Sequence, residues 1–237
     1  MNRLLELAAI GARETMMAQA VNSHNLANAS TPGFRKDLAV YSGTGQSGGL
    51  STSIDFSQGT IHSTGHNLDV AVAGEGYIAV GTPEGGEGYS RRGDFRVDAV
   101  TGGLTNGAGQ PIFGNGGPVI LPPFSELAIG SDGTVSIRPL GGDVNGLAVV
   151  DQIKLVTLDE ANLEKGLDGL MRLGNGATAD FDSTVKLTSG ALEGSNVNPV
   201  ESLVRMIDLA RKFESQVKMM QTAEENRQSL NDIMKFS

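Results

Sequence analysis

From Val200 to about Lys235 the sequence contains no Gly and no Pro, and the run is introduced by Asn198-Pro199-Val200-Glu201. Asn198 can accept from the first exposed amides of a helix. Pro199 suits the first helical position, and Glu201 can reach back as in a capping box. The pattern predicts one helix of roughly 55 Å at 1.5 Å per residue, about three times the usual globular length. Its apolar residues form two seams: Val200, Leu203, Val204, Ile207, Ala210 and Val217 on one, and Met206, Leu209, Phe213, Met220, Ala223, Leu230 and Met234 on the other. Glu201 with Arg205, Asp208 with Lys212 and Glu214 with Lys218 stand four apart, acid first, a layout that supports a helix weakly.

The other end of the chain is helical too. Residues 2 to about 29 carry Leu4, Leu5, Leu7, Ile10, Met16, Met17, Val21 and Leu26 with many Ala and no Pro, up to the stop at Ser30-Thr31-Pro32-Gly33. Gly11 costs such a helix about 1 kcal/mol relative to Ala. Between Tyr41 and Ser53, Ser, Thr and Gly dominate, which reads as a flexible or edge-lying connector. From about Gly59 to Gly190 the apolar period becomes two, as in Leu68-Val70-Val72, Phe95-Val97, Val135-Ile137, Ile153-Leu155 and Val185-Leu187. Gly74-Glu75-Gly76, Thr105-Asn106-Gly107, Asn115-Gly116-Gly117, Ser131-Asp132-Gly133 and Gly141-Gly142-Asp143 punctuate it as turns.

These zones predict an α+β chain: long N- and C-terminal helices that pack together, with a central all-β antiparallel domain. The divisions are 1–35, N-terminal helix and exit turn; 36–58, connector; 59–195, β domain; and 196–237, C-terminal helix. A small β domain closed by its own strands cannot cover two seams on so long a helix. The N-terminal helix would take one face in coiled-coil fashion and other subunits the rest. A single compact domain with the helices lying on its sheet is the alternative, and helix length argues against it.

Little in the chain suits bond-making chemistry. There are no cysteines and three histidines, and the formal net charge is -9 without a cluster of Lys and Arg, so nucleic acid is not an expected partner. No apolar run reaches the roughly 18 residues of a bilayer span, and no cleavable signal is recognisable, so membrane insertion is not expected. His62 and His66 are four apart but sit in a turn without a carboxylate cluster, so no metal is expected. Arg92-Gly93-Asp94 is the adhesion tripeptide by letter only, and Asn28-Ala29-Ser30 is a glycosylation acceptor by letter only. Gly74-Glu75-Gly76 lacks the third glycine of a dinucleotide loop, and no cofactor is expected. Paired acids on the β zone keep a glycoside hydrolase open as an alternative, as does a secreted glycan-binding module. Neither gives the helices a purpose.

Several motifs occur in order along nearly the whole chain: Asn25-Leu26-Ala27-Asn28 with Thr31-Pro32-Gly33-Phe34-Arg35; Gly65-His66-Asn67-Leu68-Asp69-Val70 with Gly76-Tyr77-Ile78; Tyr89-Ser90-Arg91-Arg92-Gly93-Asp94-Phe95; Gly109-Gln110-Pro111-Ile112; Gly190-Ala191-Leu192-Glu193-Gly194-Ser195-Asn196-Val197-Asn198; and Arg211-Lys212-Phe213-Glu214. In this the chain resembles the flagellar rod, hook and hook-associated proteins. Its length and short connector are similar to the proximal rod type, with the distal rod type as near relative. The resemblance implies a non-enzymatic subunit of the basal-body rod in the periplasm. Such a subunit is exported by the flagellar secretion apparatus without a cleavable signal, and assembles with copies of itself and other rod proteins into a torque-transmitting shaft. It further implies that Asn25, Leu26, Asn28, Gly33 and Phe34 form a helix exit turn and Leu192, Asn196, Val197 and Asn198 the matching entry turn. Leu4, Leu7, Ile10, Val21, Leu203, Ile207, Phe213, Val217, Met220 and Leu230 would be packing contacts. Helices this dependent on neighbours are expected to order fully only on assembly.

Overall fold

A computed structural model describes residues 2–42, 49–140, 146–166, 168–174 and 176–235, with side chains from 5–40 and 49–229 over those stretches. The turn expected at 141–143 and the side chains of Leu4 and Leu230 lie outside the described residues. The chain divides into two compact units, each built from separate stretches: residues 1–29, 36–55 and 197–237 in one, and 30–35 with 56–196 in the other.

The first unit holds α1 (Asn2–Ala27), α2 (Pro199–Lys235) and a hairpin of β1 (Asp37–Ser42) with β2 (Gly49–Ile54). Asn198 caps α2: its Oδ1 accepts from the amides of Val200 at 3.0 Å and Glu201 at 3.3 Å. The reciprocal bond from Glu201 does not form among the described residues. Nor do the three expected acid–base pairs; the ion pair along α2 is Glu224 with Arg227, one turn apart. Exposed pairs gain too little to hold two long side chains together. The stretch read as a connector is largely a strand pair, in register from Asp37 opposite Ile54 to Ser42 opposite Gly49. Cross-strand bonds satisfy its backbone, and Leu38, Leu50 and Ile54 are half-buried, so few apolar side chains suffice.

The second unit is antiparallel throughout. A five-stranded sheet runs in the order 155–156, 77–81, 87–90, 171–173, 163–165, and a three-stranded one joins 124–129, 134–139 and 148–152. Short pairs complete it, among them 70–73 with 186–189 and 61–63 with 191–193, the latter setting the unit's entry and exit side by side. Strand 134–139 shows how the period of two works: Val135 and Ile137 are buried while Thr134, Ser136 and Arg138 are not. Tyr77–Gly81 is buried at every position, because it lies inside the sheet and is covered on both faces. Val70, Val72, Ile78, Val80, Leu104, Ile112, Ile153 and Leu155 make one continuous core with no exposed surface.

That core sets a measurable contrast. Leu104→Ala is expected to cost about 2–5 kcal/mol in urea unfolding, whereas Val100→Ala, at a residue 94% exposed, should stay within about 0.5 kcal/mol.

Candidate assembly surfaces

In the first unit α1 and α2 run antiparallel. Thr15 Oγ1 donates to Gln216 Oε1 at 3.0 Å and Asn22 Nδ2 to the carbonyl of Ser202 at 2.8 Å, so advancing along one helix means retreating along the other. All four residues are buried. They stand at whole-heptad spacings, Thr15 to Asn22 and Ser202 to Gln216, and therefore keep to one side of each helix. Met206, Leu209 and Phe213 fall on the same side of α2 between Ser202 and Gln216, and Met220 follows one turn on; all are half-buried. The facing positions of α1 include buried Ala8 and Ala12. Gly11 has its reason here: a Cβ at that position would lie 2.8 Å from Gln216 Nε2, so glycine leaves the socket into which the amide fits.

The other α2 seam points outward over its first two turns, before half-buried Ala210 and Val217. Leu203 is 51% exposed and Ile207 55%, with Val200 and Val204 alike; on α1, Leu7 is 61% and Ile10 48% exposed, with Met16 and Met17. Val21, Phe213, Val217 and Met220 are half-buried. The expected packing residues thus divide into those partly covered within the chain and those left to solvent, where an apolar stripe marks an interaction surface.

The motif turns are held by amides. Asn25 grips Asp37 with both ends of its side chain, Nδ2 donating to the carbonyl at 2.7 Å and Oδ1 accepting from the amide at 2.8 Å. Asn28 Nδ2 donates to the His24 carbonyl, closing the last turn of α1. Leu26 is half-buried, and Val197 is buried at the start of the segment leading into α2. In the second unit Asn196 Nδ2 donates to the Ser57 carbonyl at 3.0 Å, its amide bonds the Phe34 carbonyl, and Leu192 pairs with His62 across the entry and exit strands.

Motif residues that sequence reasoning had not singled out form the buried ion group of that unit. Glu193, fully buried, accepts from Arg35 Nη1 at 2.6 Å and from Arg91 Nε at 2.7 Å, and Oε1 also accepts from the Gly59 amide at 2.9 Å. Arg91 spends its other donors on the carbonyls of Gly76, Val72 and Gly74. Gly33, at φ 67°, lies so close that a Cβ would stand 2.4 Å from the Arg91 carbonyl carbon. Phe34 is buried beneath Lys165, whose Nζ sits 4.0 Å from the ring centre. The signal was present, since Arg35, Arg91 and Glu193 each lie inside a quoted motif. What the string lacks is the pairing.

His62 and His66 are exposed, and no group of metal-ligating side chains occurs among the described residues. Arg92 and Asp94 bind each other in a two-pronged pair at 2.7 and 2.9 Å, which occupies both charges of the adhesion-like tripeptide. No described helix is long and apolar enough to cross a membrane.

Glu193→Gln would leave two buried guanidiniums without their counter-charge, with an expected loss of about 3–5 kcal/mol in chemical unfolding followed by β-sheet circular dichroism. Gln216→Ala should cost about 1 kcal/mol and lower helical ellipticity without altering the sheet signal.

Residues 71–137 match the family described as flagellar hook protein FlgE/F/G D1 domain, and residues 188–233 that described as flagellar basal body rod FlgEFG protein C-terminal. The flagellar basal-body rod protein FlgF of Salmonella typhimurium is 37% identical over 253 residues, and that of Escherichia coli K12 36%, each covering 100% of both chains. The flagellar basal-body rod protein FlgG of Bacillus subtilis is 31% identical over 251 residues, covering 89% of this chain and 90% of its own.

Proposed function

Since the chain belongs to the flagellar basal-body rod protein family, in which it is a structural component of the rod, we propose that it is the proximal type of subunit and joins the shaft through its two helices. Identity of 36–37% from end to end with two FlgF proteins, against 31% with the FlgG protein, supports the proximal placement. So does the short connector, in which six residues of sequence separate β1 from β2. The distal type is the alternative within the family.

The observation that carries the assembly reading is the division of the helical seams. One α2 seam lies on the α1 side with its polar locks, while Leu203 and Ile207 on α2 and Leu7 and Ile10 on α1 stay exposed. Exposed apolar rows on a helix pair gain from neighbours with the same rows, so copies of this chain and other rod proteins are the fitting partners. Packed helices resist shear, which suits torque transmission, and the role needs no catalysis. Delivery through the flagellar export apparatus is the route expected of such a subunit.

A chain carrying Leu203→Glu and Ile207→Glu together is expected to unfold within about 0.5 kcal/mol of the parent. Expressed in a strain deleted for the gene, it should leave cells non-motile and their basal bodies without a completed rod. Removal of residues 212–237 should do the same. Normal swimming by either strain would refute packing through these helices.

A further inference from the structure

A cavity of about 520 Å³ opens in the second unit beside the buried ion group, whose two arginines help line it. Arg35 forms part of its lining and is 3% exposed. Only its Nη1 has a hydrogen-bond partner among the described residues; Nε is buried and has none. Arg91 is satisfied on every nitrogen. Two guanidiniums and the single carboxylate of Glu193 leave one surplus positive charge out of water, and the unused donors place it at Arg35. A buried charge in that state calls for an acceptor of opposite sign.

Carboxylates line the same cavity. Asp159 accepts from the Ala161 amide and Asn162 Nδ2, whereas Glu75 and Glu160 are exposed and neither has a hydrogen-bond or ion partner among the described residues. Glu160 is near enough to act on the interior. The Tyr77 hydroxyl, also lining the cavity, has its pKa raised mainly by burial; Arg35 and Arg91 pull it back, while Glu160 and Glu193 add to the rise. Phe56, Leu158 and the Tyr77 ring supply apolar wall. A simple anion seeking Arg35 meets two unpaired carboxylates in the same cavity, and a simple cation drawn to those meets a guanidinium. A molecule with both charges satisfies each pole.

We infer that this cavity binds a small zwitterion of the amino-acid or short-peptide class, its carboxylate on Arg35 and its ammonium at Glu160. The carboxylate accepts from Nη2–H, which has no partner among the described residues and, unlike Nε, is not closed off, and it completes the ion group as a neutral quartet. Nothing in this depends on how the helices assemble.

The test is titration of the full-length, ¹⁵N-labelled chain with glycylglycine, acetate or ethylammonium at constant ionic strength, following the amides of 74–77 and 157–160. Glycylglycine should give saturable shifts there, with acetate and ethylammonium each much weaker. Glu160→Gln, at an exposed position, should weaken glycylglycine about threefold and leave acetate no weaker. Arg35→Lys, which keeps the charge but loses the fork, should abolish saturation while the circular dichroism spectrum is retained. No saturable shift with the parent chain below about 50 mM glycylglycine would overturn the assignment. So would acetate binding as tightly as glycylglycine with Glu160→Gln having no effect.

Discussion

Glu193 is where three distant stretches of the chain are tied together. Its partners are Arg91, 102 residues away, and Arg35, 158 residues away, and with all three side chains out of water the group tolerates no substitution of charge. Ion pairs of this kind contribute less to net stability than apolar packing of equal volume, because desolvation offsets most of the attraction. Their effect is on which arrangement is allowed. Arg91 organises the Gly74–Gly76 turn through its carbonyls, Gly33 approaches the Arg91 backbone, and Gly59 donates to the same carboxylate, so a shift in any one of these strands would strand a charge.

In the helix pair polar side chains share the interior with apolar ones, and large apolar side chains also stand outside. Thr15, Asn22, Ser202 and Gln216 are inside, and Leu203, Ile207, Leu7 and Ile10 are outside. A wholly apolar seam would let α1 and α2 slide by a heptad at small cost, whereas a buried amide and hydroxyl accept one register. Weak grip inside and apolar surface outside describe a piece finished by its neighbours, consistent with a family whose members build a rod.

Much of this was legible in the sequence, and unevenly. Asn198-Pro199 marked the start of α2 because a cap acts through local geometry, and the strand at Val135-Ile137 was read because its alternation is local too. Asn25 drew notice within its motif, but its grip on Asp37 spans a turn that no periodicity encodes. Gly11 read as a defect and is a socket; Arg35, Arg91 and Glu193 read as motif letters and are one ion group. In each miss the partner lies far along the chain. The β1–β2 hairpin was missed for another reason: its Ser- and Gly-rich strands are held by backbone bonds, to which composition is blind.

The pairing of 61–63 with 191–193 has a consequence for the order of folding. Thr15 and Gln216 are 201 residues apart, so bringing α2 to α1 through an unstructured chain closes a very long loop. Once the β unit has formed, its own first and last strands lie together, and the loop that remains is short. Closure entropy changes only by about 0.6 kcal/mol per doubling of length, but against a helix pair of small stability a few such steps matter. The β unit is thus a clasp as well as a domain: until it shuts, the two helices are solutes at low effective concentration, and afterwards they are tethered ends.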